Sequence, residues 1–156
     1  MPPYTVATEK KSYQRKFQDL CDQFIKKTNS SLFLKKHTKI VDNLLIKLWI
    51  DSDVSEKNTL IAVGGYGRNE LFPYSDVDIL VLNSEKGIEN DENISQFITK
   101  CWDIGLKIGH SVRNLAEVKE EFNADISTAT NLLEARLIYG SSDLYLKFNS
   151  TINKII

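Results

Sequence analysis

Cysteine, proline, methionine and histidine are all scarce in this chain, with two, three, one and two occurrences among 156 residues. Cys21 and Cys101 both fall on apolar positions of helical patterns, so there is little from which to build a disulfide framework or a zinc site. Charge of one sign is equally lacking, since 20 Lys and Arg stand against 21 Asp and Glu. Without a basic field the chain has no electrostatic pull toward a nucleic-acid duplex, which disfavours a template-directed polymerase. No apolar run approaches the ~20 residues that a membrane span requires, and the Lys-rich start lacks the apolar core of a signal peptide. The cytoplasm is therefore the expected compartment, with no membrane and no nucleic acid as partner. Internal repeats and low-complexity tracts are absent too, and the length supports one domain with a sizeable core.

The spacing of apolar residues outlines that core. Tyr13, Phe17, Leu20, Cys21, Phe24 and Ile25 share one face of a helix over Glu9–Lys27, after a loose lead-in, Met1–Thr8, and before a break at Asn29, Ser30 and Ser31. Ile40, Leu44, Leu45 and Leu48 predict a second helix over Lys36–Trp49, with His37 on its surface. A strand over Thr59–Val63 leads into a glycine turn and a short helical stretch around Arg68–Leu71, stopped by Pro73. A second strand, Asp76–Leu82, runs into an acidic loop, Asn83–Asn93. Ile94, Phe97, Ile98, Cys101 and Trp102 mark an amphipathic helix closed near Gly105. Leu106–Arg113 is a third strand, with Ile108, His110 and Val112 on one face. Helices follow over Leu115–Phe122, from an N-cap at Asp125 through Leu137 to Gly140, and over Asp143–Ile156. This order suits an α/β or α+β domain with a small mixed sheet flanked by helices.

The chemistry lies in the run Ala62-Val-Gly-Gly-Tyr-Gly-Arg-Asn-Glu-Leu-Phe-Pro-Tyr-Ser-Asp-Val-Asp-Ile-Leu-Val-Leu82. Its glycines let the backbone turn sharply and approach a phosphate. They form no P-loop, since no Gly-Lys-Ser/Thr follows, and they lack the spacing of a dinucleotide fold. Asp76 and Asp78, two apart on a strand, project to one face while Val77 and Ile79 point to the core. Aspartate is depleted in strands and costly to bury without a partner, so the pair calls for a cation. Mg²⁺ fits, because it takes carboxylate oxygens, keeps several waters and shares substrate phosphates such as those of a nucleoside triphosphate. Two metals about 3.5–4 Å apart can hold the attacking and leaving oxygens of an in-line displacement at phosphorus. Nucleotidyl or phosphoryl transfer is the expected reaction.

Three blocks in order carry a closer likeness. Gly-Gly-Tyr-Gly-Arg-x-Glu-Leu-x-Pro-x-Ser-Asp-x-Asp is followed by Trp102-Asp-Ile-Gly-Leu-Lys-Ile-Gly-His-Ser-Val-Arg113 and by Ala129-Thr-Asn-Leu-Leu-Glu-Ala-Arg136. From about Leu60 to Gly140 the chain thus resembles the bacterial PII-protein uridylyltransferase/uridylyl-removing enzymes, a branch of the DNA polymerase β-like nucleotidyltransferase superfamily. The resemblance implies that superfamily's fold, Mg²⁺ as cofactor, UTP as donor and a tyrosine of the nitrogen-regulatory PII protein as acceptor, with pyrophosphate released. It also implies a layout: a helical segment over 1–55, a nucleotidyltransferase core over 56–140, and the start of a following helical region over 141–156. The family's proteins are much longer, continuing into an HD-type hydrolase domain and paired ACT domains, so the chain resembles a truncated piece of one. Neither His37 nor His110 is followed by Asp, and the sequence offers no HD dyad for uridylyl removal. Adenylyl transfer on the same fold and a non-catalytic remnant that binds nucleotide or protein are the rival readings.

Residue by residue, Asp76 and Asp78 are the expected metal ligands, with Gly64 and Gly65 at the phosphates. Arg68 can bind a phosphate through its planar guanidinium or form a surface pair with Glu70. Ser75 either caps a turn or lies by the triphosphate, as a residue near it does in the resembled family. His110 and Arg113 either face the nucleotide or acceptor, or, for His110, serve the structure. The superfamily's third acid is expected on the strand Leu106–Arg113, which contains none. Asp125 and Glu134 are the candidates for it and for the general base, against a helix cap for Asp125 and a surface pairing with Arg136 for Glu134.

Overall fold

The computed structural model describes residues 5–27, 30–83 and 91–155. The elements run α1 (Val6–Lys27), α2 (Ser30–Asp51), β1 (Asn58–Ala62), α3 (Gly64–Gly67), β2 (Val77–Asn83) and α4 (Glu92–Ile104). They continue with β3 (Ile108–Asn114), α5 (Leu115–Ala124), α6 (Ile126–Leu133), β4 (Arg136–Gly140) and α7 (Ser142–Ile155). The strands form one mixed sheet in the order β3-β2-β1-β4. β1 is antiparallel to both β2 and β4, while β2 and β3 are parallel. A parallel pair needs a crossover, and α4 supplies it. Asp91 caps that helix by accepting from Asn93 and Ile94 N–H, and Gly105 ends it at a left-handed φ of 101°. The expected α+β class with a small mixed sheet is what this chain adopts.

The central strands are buried on both faces, which their nearly unbroken apolar sequences allow. On one face Leu60, Val77, Ile79 and Val81 pack against Val41, Leu45, Leu48 and Trp49 of α2 and Phe97, Ile98 and Cys101 of α4. On the other, Ile61, Val63, Leu80 and Leu82 meet Val118 of α5, Leu132 of α6, and Leu144, Phe148 and Ile152 of α7. By strand alternation Asp78 belongs to the second face, in line with Leu80 and Leu82. Among the described residues no helix is long and apolar enough to cross a membrane.

Several local expectations are corrected. The helix from Asp125 stops at Leu133, and Arg136–Gly140 is a strand on the edge of β1, pairing Ile61 with Leu137 and Leu60 with Tyr139. Leu132, Leu133, Ala135 and Leu137 fit helical spacing, but the free edge of β1 claims the second half of that segment. The helical turn expected around Arg68–Leu71 lies earlier, in the glycines themselves. The second helix starts at Ser30 rather than Lys36, and the first at Val6 within the expected lead-in. Asp76 sits one residue ahead of β2 instead of opening it. His37, expected on the surface, is 3% exposed, because α1 covers α2 with the rings of Tyr13 and Phe17. Of the loose lead-in, Met1–Tyr4 lie outside the described residues, as do Asn29 of the break and residues 84–90 of the acidic loop.

Candidate active site

β1 ends at Ala62 and the chain turns at once. Gly64 adopts a left-handed φ of 62°, and one helical turn closes through Gly67 N–H to Val63 O and Arg68 N–H to Gly64 O, both 3.1 Å. The left-handed backbone calls for glycine at 64, and close packing calls for it at 67. A β-carbon on Gly64 would sit 3.3 Å from Asp78 Oδ2 and 3.5 Å from Asn131 Oδ1, and one on Gly67 would collide with the Glu134 carbonyl oxygen. Across the parallel ladder Asp78 faces Gly109 of β3, where a β-carbon would come within 2.6 Å of Asp78 Oδ1. The half-buried Asp78 carboxylate thus rests in a cradle of two glycines from different elements.

Asp76 is exposed beside it. Burial first, and the charge of Asp76 second, push the Asp78 carboxyl above its ordinary pKa. A hard divalent cation shared by the two acids would relieve that repulsion, so the donor set fits Mg²⁺. Among the described residues no cluster of three or more His, Cys, Asp or Glu could hold a metal, so waters and substrate phosphates would complete the shell.

A cavity of about 530 Å³ opens from Asp78 between β2, β3, α5 and α6. That is within the ordinary size of small-ligand sites. Its walls include Gly109, Ser111, Arg113, Glu121, Asp125, Thr128 and Asn131. Arg113 Nε donates to Glu121 Oε1 at 2.5 Å and Nη1 to Val112 O at 2.8 Å, which holds the guanidinium in the wall. Strand alternation puts Ser111 and Arg113 on the face of Gly109 and Asp78. His110 touches the rim, but its ring belongs to the opposite face, edge-on to Trp102 at 5.9 Å. Asp125 is a helix cap at the edge of the cavity. It caps α6 by accepting from Ser127 N–H at 3.1 Å and Thr128 Oγ1 at 3.0 Å, and it lines the cavity.

Other candidates are engaged elsewhere. Arg68 lies between Glu70, at 3.3 Å from its Nε, and the Glu134 carboxylate. Glu134 therefore pairs with Arg68 and not with Arg136, because Arg136 starts β4 and points to Asp42 of α2. Ser75 lines a different cavity, of about 440 Å³, together with Tyr13 and His37 on the far face of the sheet.

Sequence reasoning passed over the frame beneath the glycine turn. Arg136 donates to both Asp42 oxygens, at 2.7 and 3.1 Å, and to the Tyr66 carbonyl at 3.1 Å. The Tyr66 hydroxyl donates to Asp42 Oδ1 at 2.5 Å, and the guanidinium lies 5.2 Å from the centre of the Tyr66 ring. The Glu-Ala-Arg block and the Gly-Gly-Tyr-Gly block are thus two halves of one network, joined through a helix that carries neither. A hint was present in Asp42, a lone acid beside Val41, Leu44 and Leu45. Gly109 had a signal as well, since a glycine inside a strand marks a close approach. Ser111 and Asn131 had none without the register.

Residues 46–125 match the family described as Nucleotidyltransferase domain, and the chain belongs to it. Its relatives are more particular. It is 46% identical over 134 residues to the bifunctional uridylyltransferase/uridylyl-removing enzyme of Hydrogenovibrio crunogenus, covering 84% of this chain and 15% of that protein. The protein of the same name from Pseudoalteromonas translucida is 43% identical over 140 residues, covering 88% and 16% respectively. The chain therefore spans about 15% of the length of the curated relatives it matches. Among solved structures, a toxin-antitoxin with AMP-PNP aligns with a TM-score of 0.49 at 17% identity, over 73% of this chain and 86% of that one.

Proposed function

We propose that this chain is a catalytic domain that transfers UMP from UTP to a tyrosine hydroxyl of the nitrogen-regulatory PII protein in the cytoplasm, releasing pyrophosphate and reporting nitrogen status. The observation that carries the reading is the Asp78 carboxylate seated between Gly64 and Gly109 with Asp76 beside it. The names of its relatives and the three sequence blocks support uridylyl transfer in particular.

Asp76 and Asp78 would hold Mg²⁺, which when bound supplies charge neutralisation on the triphosphate. Gly64 and Gly65 bring backbone, unshielded by side chains, to the phosphates. The 530 Å³ cavity takes the nucleoside, and the Glu121–Arg113 pair stiffens its wall. Asp125 lines that cavity, whereas the Glu134 carboxylate is engaged by Arg68, so Asp125 is the better placed of the two to take the acceptor's proton. The rest of the rate enhancement comes from holding donor and acceptor in line.

The test is transfer of label from UTP to a PII protein. Asp76→Asn and Asp78→Asn should each abolish transfer with the far-UV circular dichroism unchanged. Full turnover in both variants would sink the reading, and a preference for ATP over UTP would reassign it to adenylyl transfer.

A further inference from the structure

On the sheet face opposite Asp78, two consecutive side chains of α2 grip one residue of the loop that leads to Asp76. His37 Nδ1 lies 2.9 Å from the Leu71 carbonyl oxygen, and Thr38 Oγ1 accepts the Leu71 N–H at 3.3 Å. The Thr38 hydroxyl spends its own proton on Leu34 O at 2.8 Å, which leaves its oxygen free to accept. A carbonyl can only accept, so Nδ1 carries the imidazole proton, and Nε2 takes one from the Tyr13 hydroxyl at 3.1 Å. His37, Thr38 and Leu71 are 3%, 1% and 1% exposed. Leu71 would bury equally well against an apolar helix face. Placing an imidazole and a hydroxyl there fixes its backbone, at the desolvation cost of two buried polar groups.

The chain beyond Leu71 gives a reason for so firm a hold. Ser75 N–H donates to Phe72 O at 3.1 Å, closing a turn in which Tyr74 follows Pro73 at a left-handed φ of 62°. Glycine ordinarily occupies that position. A tyrosine there stores strain, which persists only where the flanking chain is fixed, and such strain gathers at functional sites. The flanks are fixed here: Leu71 by α2, and Val77 by its N–H to Lys107 O at 2.8 Å. Asp76 falls between the strained turn and the second anchor, outside the ladder of β2. Its carboxylate is therefore aimed from one side by the hold on Leu71 and from the other by the first residue of β2.

We propose that His37 and Thr38, with Tyr13 behind His37, form a clamp that positions Asp76 against Asp78 for divalent-cation binding, an inference that rests on the reading of the two aspartates as metal ligands. The three are positioning residues, since they act through Leu71 and bond to neither aspartate. Thr38→Val keeps the shape and deletes the acceptor, His37→Leu deletes the donor, and His37→Asn restores a donor where Nδ1 stood. Two measurements on the purified chain test the clamp: amide hydrogen exchange over residues 71–76 without metal, and Mn²⁺ binding followed by electron paramagnetic resonance.

In Thr38→Val and His37→Leu, exchange over 71–76 should rise about tenfold while β1 and β2 stay protected, and Mn²⁺ affinity should fall by about the same factor. His37→Asn should recover most of both. Unchanged exchange overturns the clamp, as does faster exchange with undiminished Mn²⁺ affinity. If the wild-type chain fails to bind Mn²⁺, the metal reading falls and takes the clamp's metal-positioning role with it. The exchange data, which need no metal, separate that result from failure of the clamp itself.

Discussion

Replacing Gly109 by alanine separates the acid pair from the fold that carries it. The new β-carbon would stand 2.6 Å from Asp78 Oδ1 and 3.8 Å from its Cγ, and among the described residues beyond its chain neighbours it meets no other group within 4 Å. Ordinary contact begins at 3.4 Å, so the carboxylate oxygen must retreat by the difference, about 0.8 Å. What yields is the end of a side chain, not backbone. Gly109 has no left-handed φ, so alanine brings no backbone strain, and its stiffer unfolded chain offers about 0.4–1 kcal/mol of stabilisation. At roughly 2–4 °C per kcal/mol for a chain of this size, the melting temperature should stay within about 4 °C of wild type. A displacement near 1 Å at a reacting centre, by contrast, costs on the order of 10²-fold in rate. Pyrophosphate release from UTP with acceptor protein present, measured beside a thermal melt, reads both quantities. Turnover within about twofold of wild type would refute the glycine cradle as the seat of the working carboxylate. A melting temperature lowered by more than about 8 °C would show that the backbone gives way instead.

Three further outcomes follow from the frame around the site. Arg136→Met removes two bonds to Asp42 and one to the Tyr66 carbonyl, and should cost about 2–3 kcal/mol in urea unfolding. Lys at 136 should recover little, because one ammonium cannot span both partners. Gly67→Ala forces a β-carbon onto the Glu134 carbonyl, where only backbone can yield, and should cost about 1–3 kcal/mol with a matching fall in melting temperature. Burial lowers the His37 pKa, against the weaker opposing effect of its bond to Leu71 O. The ring therefore stays neutral in the fold at a pH where the unfolded chain already binds a proton. Stability should be full above about pH 6.5 and decline by up to about 1.4 kcal/mol per pH unit below it, until the pH passes the folded pKa. His37→Asn should lack that component, and parallel profiles of the two proteins between pH 7.5 and 5 in urea titrations, about one unit above and 1.5 below the ordinary histidine value, would contradict it.

The parts of this fold legible in the sequence are those with a strong period or a strong stop. The helix Glu92–Ile104 has both an acidic cap and a closing glycine, and the strand holding Asp78 is apolar from Ile79 to Leu82. β4 was hidden because Leu132, Leu133, Ala135 and Leu137 satisfy a helix as well as a strand, and only the open edge of β1 decides between them. The glycines read as a turn that precedes the helical stretch because glycine is a poor helix former, yet one helical turn forms on them where tertiary contacts hold it. The candidate site was half legible. Asp76, Asp78 and the glycines announce themselves by spacing, whereas Asp42 and Arg136 meet only after the chain has crossed the sheet, 94 residues apart. His37 looked like a surface residue since nothing in its own helix reveals that α1 lies over it.

The network joining Asp42, Tyr66 and Arg136 bears on how this domain can be moved between proteins. The family match begins at residue 46 and ends at residue 125, so Asp42 falls before it and Arg136 after it. A graft cut at those limits would transplant the motif without the residues that shape its turn. Recombination, natural or engineered, must carry the second helix and the last strand along with the signature, and the heritable unit is wider at both ends than the pattern by which it is recognised.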